Sequence, residues 1–174
     1  MNAVWAADWS AYDTDDDRVD YVRLAFVINL FPSGFTLYAV EDEDDGKLLP
    51  VGYTGWYPIT AANFSFLVGQ APDVVHRGQV VPIQTPTTRT FQYVFNYSMV
   101  APLRRTEATR TMLRGLADAL DTSPHAGRCA ITVSVDGNRV AERLGMHQLA
   151  EMVVGSSREY VFGTGMSATG SART

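Results

Sequence analysis

The chain has little with which to build metal, redox or disulfide chemistry. Of its 174 residues one is cysteine and three are histidine. A single cysteine, Cys129, excludes an internal disulfide. It opens an apolar stretch and reads as a buried thiol rather than a nucleophile, since cysteine is among the most buried residue types. His76, His125 and His147 stand singly with no ligand spacing, so no metal centre is expected. Long apolar runs are also missing. None reaches the roughly 18 residues that a membrane span needs, and Met1-Asn2-Ala3-Val4-Trp5 lacks the basic start of a secretion signal. A cytoplasmic protein with no membrane partner is the expectation. No internal repeat is visible. An excess of positive charge is absent too. The net charge of −5 argues against non-specific binding to nucleic acid.

What charge there is lies unevenly. Residues 1–60 carry 11 acidic and three basic side chains, and residues 61–174 carry eight acidic and 11 basic ones. Such a skew suggests one half that faces cations and one that faces anions, although solvated acidic loops would give the same count. With 46% hydrophobic residues, the length suits one globular domain with a substantial core. The domain is expected over 1–163, with an insertion at about 58–90. Residues 164–174 are small and polar and form a frayed tail.

The stretch from Phe91 to Met146 organises the rest. FQYVFNYSMV, Phe91 to Val100, is aromatic and β-branched, as strands prefer. A turn through Ala101-Pro102-Leu103-Arg104-Arg105 follows, and Thr106 is a plausible N-cap for a helix to about Leu120. Met112, Leu113, Leu116 and Leu120 share one face of that helix. Cys129 to Val135 reads as a second strand. Asp136 can cap a short helix, NRVAERL, which Gly145 ends. Arg104 and Arg105 precede the first helix, and Arg110 lies within its first turns. A helix N-terminus presents free N–H groups and a positive dipole end, so this turn has the chemistry of an anion site. A solvated basic helix start without a ligand fits the same spacing.

These two segments resemble the GNAT acetyltransferase superfamily. Val100-Ala101-Pro102-Leu103-Arg104-Arg105-Thr106-Glu107-Ala108-Thr109-Arg110 is similar to the strand, V-x-P and R/Q-x-x-G-x-G/A of its coenzyme-binding half. Arg105 falls at the family's Arg/Gln, Ala108 at its first Gly and Arg110 at its second Gly/Ala. Ser134 to Met146 is similar to N-x-x-S-x-R-V-x-E-K-L-G-M/F, most familiar in the branch that acetylates protein N-terminal amines. The chain departs from the pattern in having neither loop glycine, in placing Glu107 in the helix's first turn, and in lacking the family's tyrosine general acid within NRVAERLGM.

The resemblance implies an α/β (α+β) fold: a GNAT-like mixed, mostly antiparallel central sheet flanked by helices. It implies acetyl-CoA, or another acyl-CoA, as cofactor, held by Met99, Val100, Arg104, Arg105, Thr106, Ala108, Thr109, Arg110, Ser134 and Arg139. It implies a small-molecule or peptide amine as acceptor. Amine attack on a thioester needs a proton removed from the amine and one returned to the thiolate. FQYVFNYSMV holds no carboxylate, and its polar groups are Asn96, Tyr97 and Ser98. Tyr97 and, on a late strand, Tyr160 are the catalytic candidates, though strand tyrosines more often belong to core or rim. The basic half should face the coenzyme and the acidic half the acceptor, with Asp17, Asp20 and Asn29 on the acceptor side. The alternative function is a protein of this fold that has lost acetyl transfer and serves as a binding or assembly module, or runs another reaction in the same cleft.

The remaining elements read as follows. AVWAADW suggests a first strand. Asp15-Asp16-Asp17 caps a helix with Val19, Val22, Phe26 and Leu30 on one face. FTLYAVE and LPVGYTGWY form a hairpin with Asp45-Gly46 at its turn, and VGYTGW is much like the family's third strand. Ile59 to Leu67 forms a short helix. The insertion over 58–90 lids the acceptor site, pairs with another subunit as a homodimer, or is decoration. Two strands joined by Gly155-Ser156-Ser157 close the sheet.

Overall fold

The structure is a computed structural model that describes residues 3–5, 7, 20–69, 80–154 and 157–164. Helix α1 spans Tyr21–Leu30. Asp20 caps it, accepting the Arg23 N–H at 3.1 Å; the acids expected to cap it, Asp15 to Asp17, lie outside the described residues. The buried positions of α1 are Leu24 and Val27, whereas Val22 is 72% exposed and Phe26 44%. The expected stripe is therefore turned. Leu24, Val27, Ile28 and Phe31 follow the 3–4 spacing of a helix face, and Val22 and Phe26 fall off it. Val19 lies outside the described residues. The expected first strand is also corrected. Ala3, Val4, Trp5 and Ala7 are helical. Alanine is the best helix former, and adjacent Val4 and Trp5 both pack on the Ala7, Leu24 and Tyr53 cluster instead of alternating across a sheet.

Strands β1 (Phe35–Glu41) and β2 (Leu48–Ile59) form the expected antiparallel hairpin. Gly46 takes φ +68°, while no other residue of the turn has positive φ. Its N–H donates to Asp42 O, and Asp42 N–H closes the loop on Lys47 O. The connection is thus wider than a two-residue turn on Asp45-Gly46, with Asp42 and Asp45 carboxylates accepting the N–H groups of Asp44 and Lys47. Helix α2, Ala61–Gly69, follows, with the Thr60 hydroxyl accepting the Asn63 N–H. Residues 70–79 of the insertion lie outside the described residues. The chain re-enters at Val80 and returns along β2, where Ile83 N–H bonds Pro58 O.

Strand β3 is Phe91–Met99, helix α3 Glu107–Thr122 and strand β4 Gly127–Thr132. Helix α4 is Val135–Arg143, and β5 (His147–Val154) and β6 (Ser157–Gly163) form the last hairpin. Ser134, not Asp136, caps α4, its hydroxyl accepting the Gly137 N–H at 3.1 Å. The reason is that β4 ends at Thr132, three residues earlier than expected. Gly145, at φ +79°, ends α4 in a Schellman arrangement, with Met146 N–H on Ala141 O and Gly145 N–H on Glu142 O.

The sheet runs β1-β2-β3-β4-β6-β5. Every pair is antiparallel except β3 with β4. A right-handed crossover through α3 is the standard way to make that one parallel pair. The two sheet faces are occupied separately. On one, Arg23 of α1 reaches the Tyr57 hydroxyl, and Phe64 of α2 stacks on Phe91. On the other, Gln92 Nε2 donates to Leu120 O at the end of α3, and its Oε1 accepts from Arg128 of β4. Arg128 also pairs with Asp121 and donates to Leu144 O, so one part-buried network ties β3 and β4 to both α3 and α4. Cys129 is buried in the core, which pushes its thiol up well beyond the ordinary range, as desolvation does. Among the described residues no helix is long and apolar enough to cross a membrane.

Candidate functional site

The site begins where the parallel pair comes apart. Phe91 to Val94 register with Gly127 to Ala130, and among the described residues β3 has no strand partner on that side from Phe95 onward. A bulge marks the divergence. Gly55 opposes Asn96 and Trp56 opposes Val94, so Phe95 is the extra residue. Beyond it the strands splay around a cleft of about 960 Å³, roofed by the starts of α3 and α4.

Strand geometry decides what faces this cleft. Val100 N–H donates to Val51 O at 2.8 Å. Main-chain groups alternate along a strand, so those of Ser98 also face β2, while those of Tyr97 and Met99 point into the cleft. Met99 O accepts a hydrogen bond there from Arg104 Nε at 3.0 Å. Side chains alternate too. Tyr97 lies on the α3 face, where its hydroxyl donates to Thr109 O at 2.7 Å. Asn96 and Ser98 lie on the other face, that of α1 and α2. Both line the cleft and are buried, Ser98 at 4% exposure.

The turn after β3 is a 3-10 turn over Ala101–Leu103, after which Arg105 adopts φ +65°. That left-handed conformation is uncommon without glycine. Thr106 holds the N-cap position of α3, yet its side chain does not cap the helix. It donates to Leu103 O, as does Thr109, so the first N–H groups of α3 have no side-chain cap. Glu107, in the first turn, pairs with Arg110 at 2.8 Å and with Arg114. The hydrogen bond from Arg110 holds its carboxyl below the usual range, and Arg114 adds to that. Across the cleft, Asp136 accepts from Arg139 at 3.0 Å and meets Arg105 at 3.5 Å, bridging the turn to α4.

Of the residues singled out from sequence, the fold brings Tyr97, Met99, Arg104, Arg105, Thr106, Thr109, Arg110, Ser134 and Arg139 to the cleft lining. It does not bring Val100, whose N–H is turned to β2. Ala108 packs beside Met99 and Met112, and Tyr160, opposite Thr132 on β6, packs on the core; neither lines the cleft. Arg143 and Asp136 went unnoticed as site residues. The i,i+4 spacing of Arg139 and Arg143 places them on one helix face and was a readable signal. Five arginines line the cleft, with Asp136 as the one carboxylate among the lining residues. The basic half of the chain thus faces the cleft, and Asp42 to Asp45 sit at the tip of the first hairpin. Asp20 caps α1, Asn29 is exposed on it, and Asp17 lies outside the described residues.

Burial, followed by Tyr38, pushes the Tyr97 hydroxyl up to about 12, with Arg143 opposing. Tyr97 is therefore protonated at physiological pH, with its proton already donated to Thr109 O.

No family model and no curated relative matches the sequence. Solved structures do match in shape. The NatC complex bound to Gag peptide and CoA is similar at 10% identity, with TM-score 0.62 over 95% of this chain and 92% of that one. The GphF GNAT-like decarboxylase in complex with isobutyryl-CoA is similar at 10% identity and TM-score 0.68, over 94% and 93%. Arabidopsis thaliana NAA60 in complex with acetyl-CoA is similar at 11% identity and TM-score 0.60, over 95% of each. Identities this low speak to the fold alone, and the shared shape over nearly the whole chain carries that point: the chain has the GNAT fold.

Proposed function

We propose that this protein is a coenzyme A-dependent N-acyltransferase, moving an acyl group, most simply acetyl, to a primary amine of a small molecule or peptide. The observation that carries the proposal is the cleft itself. Main-chain groups of Tyr97 and Met99 that face away from β2 on one wall meet a helix start without a side-chain cap and five arginines at its mouth. The structures similar in shape that hold CoA, acetyl-CoA or isobutyryl-CoA are of the same fold, which supports the reading by analogy.

The residues present fit such a ligand. Arg104, Arg105 and Arg110 supply charge-assisted donors for phosphate at the start of α3, where the helix dipole also favours an anion. Arg139 and Arg143 face them from α4. The main chain of Tyr97 and the Met99 N–H face the cleft and offer β-type hydrogen bonds to the amides of an extended arm, while Met99 O is held by Arg104. When bound, an acyl-CoA supplies the activated carbonyl. The chain's own residues orient that arm along β3 and hold it where the acceptor amine approaches from the α1 and α2 face. Tyr97 holds the first turn of α3 through Thr109 O and so fixes the phosphate end of the site. Nothing in the lining substitutes for the two absent glycines, and Ala108 and Arg110 keep the loop's Cβ atoms in place. The expected affinity is accordingly weaker than a glycine loop would give.

Thermal unfolding with and without acetyl-CoA tests the proposal, because a ligand that binds only the native state must stabilise it. A rise in melting temperature that grows with ligand concentration is expected. An unchanged melting temperature up to millimolar acetyl-CoA would overturn the reading. An amine panel then assays transfer.

A further inference from the structure

The first hairpin reaches past the rest of the sheet. Strand β2 leaves β3 at Val51, whose carbonyl accepts the Val100 N–H. From there outward, Leu48, Leu49 and Pro50 register with β1 alone among the described residues. Three strand residues at roughly 3.3 Å each carry the turn about 10 Å beyond the end of β3. The arm so formed is apolar along its shaft. Opposed residues share a face, so Val40 and Leu49 lie on one face and Leu48, opposite Glu41, on the other. All three aliphatic side chains are exposed, Leu48 at 71%. Apolar groups left in water on both faces of a projecting two-stranded arm mark a surface that meets another molecule.

Charge says which molecule. Residues 41–47, at the tip of the arm, carry five carboxylates and one lysine, a net charge of −4. The cleft opens at the same end of the sheet, because β3 and β4 run parallel and α3 and α4 both start where they end. Its lining carries five arginines and one carboxylate, a net charge of +4. Arg105, at the turn, has a side chain that is 78% exposed. One end of the chain thus presents two patches of opposite sign and equal charge. A foreign partner would match one of them. A second copy matches both, because a two-fold axis through that end sets each patch against the other and makes the contact twice. The overall charge of −5 repels at long range, but within a Debye length of about 8 Å the local pairing governs. We infer that the hairpin arm is a self-association surface: two copies dock end to end, the arm of each lying over the arginine-lined cleft mouth of the other. The aliphatic shaft is covered in the same contact. The arm and a phosphate ligand then seek the same arginines. Resting on the proposed function, coenzyme A and the second copy exclude each other, and each lowers the other's affinity by the same factor.

Sedimentation equilibrium of the ligand-free protein tests the inference. A small, charged contact of this kind gives a monomer–dimer equilibrium in the range of about 1 to 200 µM. It should weaken on the order of tenfold as salt rises from about 50 to about 500 mM. Glu43→Lys/Asp44→Lys reverses the arm and spares the turn, whose N–H groups are accepted by the Asp42 and Asp45 carboxylates. Arg105→Glu/Arg139→Glu reverses the mouth. Each variant alone should associate at least about tenfold more weakly than wild type, since like charges now face each other. Mixed in equal amounts, the two should form a dimer as tight as that of wild type, because both contacts are again of opposite sign. Leu48→Ser, which changes no charge, should weaken wild-type association about fivefold. A wild type that stays monomeric throughout overturns the inference and gives the arm to another occupant, residues 8–19 of its own chain or a foreign protein. So does a dimer that the arm variant leaves intact, or two variants, folded by circular dichroism, that stay apart when mixed. Saturating coenzyme A should convert the wild-type dimer to monomer. Coenzyme A that binds and leaves the dimer whole overturns the placement of the arm at the mouth. Coenzyme A that does not bind at all overturns the acyltransferase reading and leaves the self-association standing.

Discussion

Replacing Glu107 with glutamine should make the ligand-free protein less stable and the coenzyme complex tighter. The carboxylate sits in the first turn of α3 and pairs with Arg110 at 2.8 Å and with Arg114. These pairs are exposed, Glu107 at 63% and both arginines near 70%, so solvent screens them and each contributes little. A negative charge at a helix N-terminus adds a small favourable interaction. Glu107→Gln keeps the shape and loses both, which lowers the melting temperature by about 3 °C. For a bound diphosphate the signs reverse. Arg110, which lines the cleft, no longer has to leave a carboxylate, and a like charge is gone from the anion's side. Releasing this exposed pair and removing that charge should tighten coenzyme A binding about fivefold. Both effects are electrostatic and should shrink between 50 and 500 mM salt. Calorimetric titration and thermal unfolding of the two proteins at both salt concentrations read all four numbers. A variant that binds coenzyme A no better than wild type at low salt would show that the phosphates do not sit at the start of α3.

Arg105→Ala should weaken coenzyme A binding by roughly 1.5–3 kcal/mol if its guanidinium meets phosphate; titration that shows no loss removes Arg105 from the site while leaving the cleft intact. Tyr97→Phe should cost about 1 kcal/mol of stability in denaturant unfolding, through the lost bond to Thr109 O. In wild type the Tyr97 contribution should be complete below pH 10 and fade as pH rises toward about 12, because its folded value is raised above the unfolded one. Tyrosinate absorbance that shows every described tyrosine titrating near pH 10 would contradict this. Gln92→Leu should destabilise by about 3 kcal/mol or more, since it strips partners from both Leu120 O and the half-buried Arg128 guanidinium; a midpoint shift under 1 kcal/mol would mean the network relaxes.

The fold was legible wherever one rule governed a segment. The Asp45-Gly46 turn signal between two strand-like runs gave β1 and β2, a 3–4 spacing gave α3, and a glycine that needed positive φ marked the end of α4. The misreadings came where two rules competed. Val4 and Trp5 favour strands, the surrounding alanines favour helix, and helix won against the Leu24 and Tyr53 surface. Val22 and Phe26 are apolar enough for a core face, but the buried stripe was set by Leu24, Val27 and Phe31. Of the site, sequence marked the basic turn and Arg139 because charge is visible in one dimension. The splay is not. That β3 and β4 part after Val94, and that the bulge at Phe95 puts Asn96 and Ser98 on one face and Tyr97 on the other, are facts of register, which no local pattern states. Tyr97 was legible as a polar group on this strand, but that its hydroxyl would lie on the α3 face, donating to Thr109 O, was not.

Proton transfer gives the last expectation. Amine attack requires the neutral amine. Among the residues lining the cleft there is no histidine and one carboxylate, that of Asp136, which already meets Arg139 and Arg105. Tyr97 is raised to about 12 and cannot act as a base near neutral pH. The lining therefore supplies no group with a value near 7 to take the amine's proton. The rate of transfer at limiting amine should then follow the acceptor's own ionisation. kcat/KM should rise tenfold per pH unit and level off only at the amine's pKa. With a peptide amine, ordinarily near 8, the profile should bend about two units lower than with a lysine-like amine near 10. Acetyl transfer to alaninamide and to an N-blocked lysine, measured from pH 5.5 to 10, separates the cases. An inflection that moves with the amine is the expected result. One that stays fixed between pH 5 and 7 for both acceptors would mean that a residue outside this lining is the base.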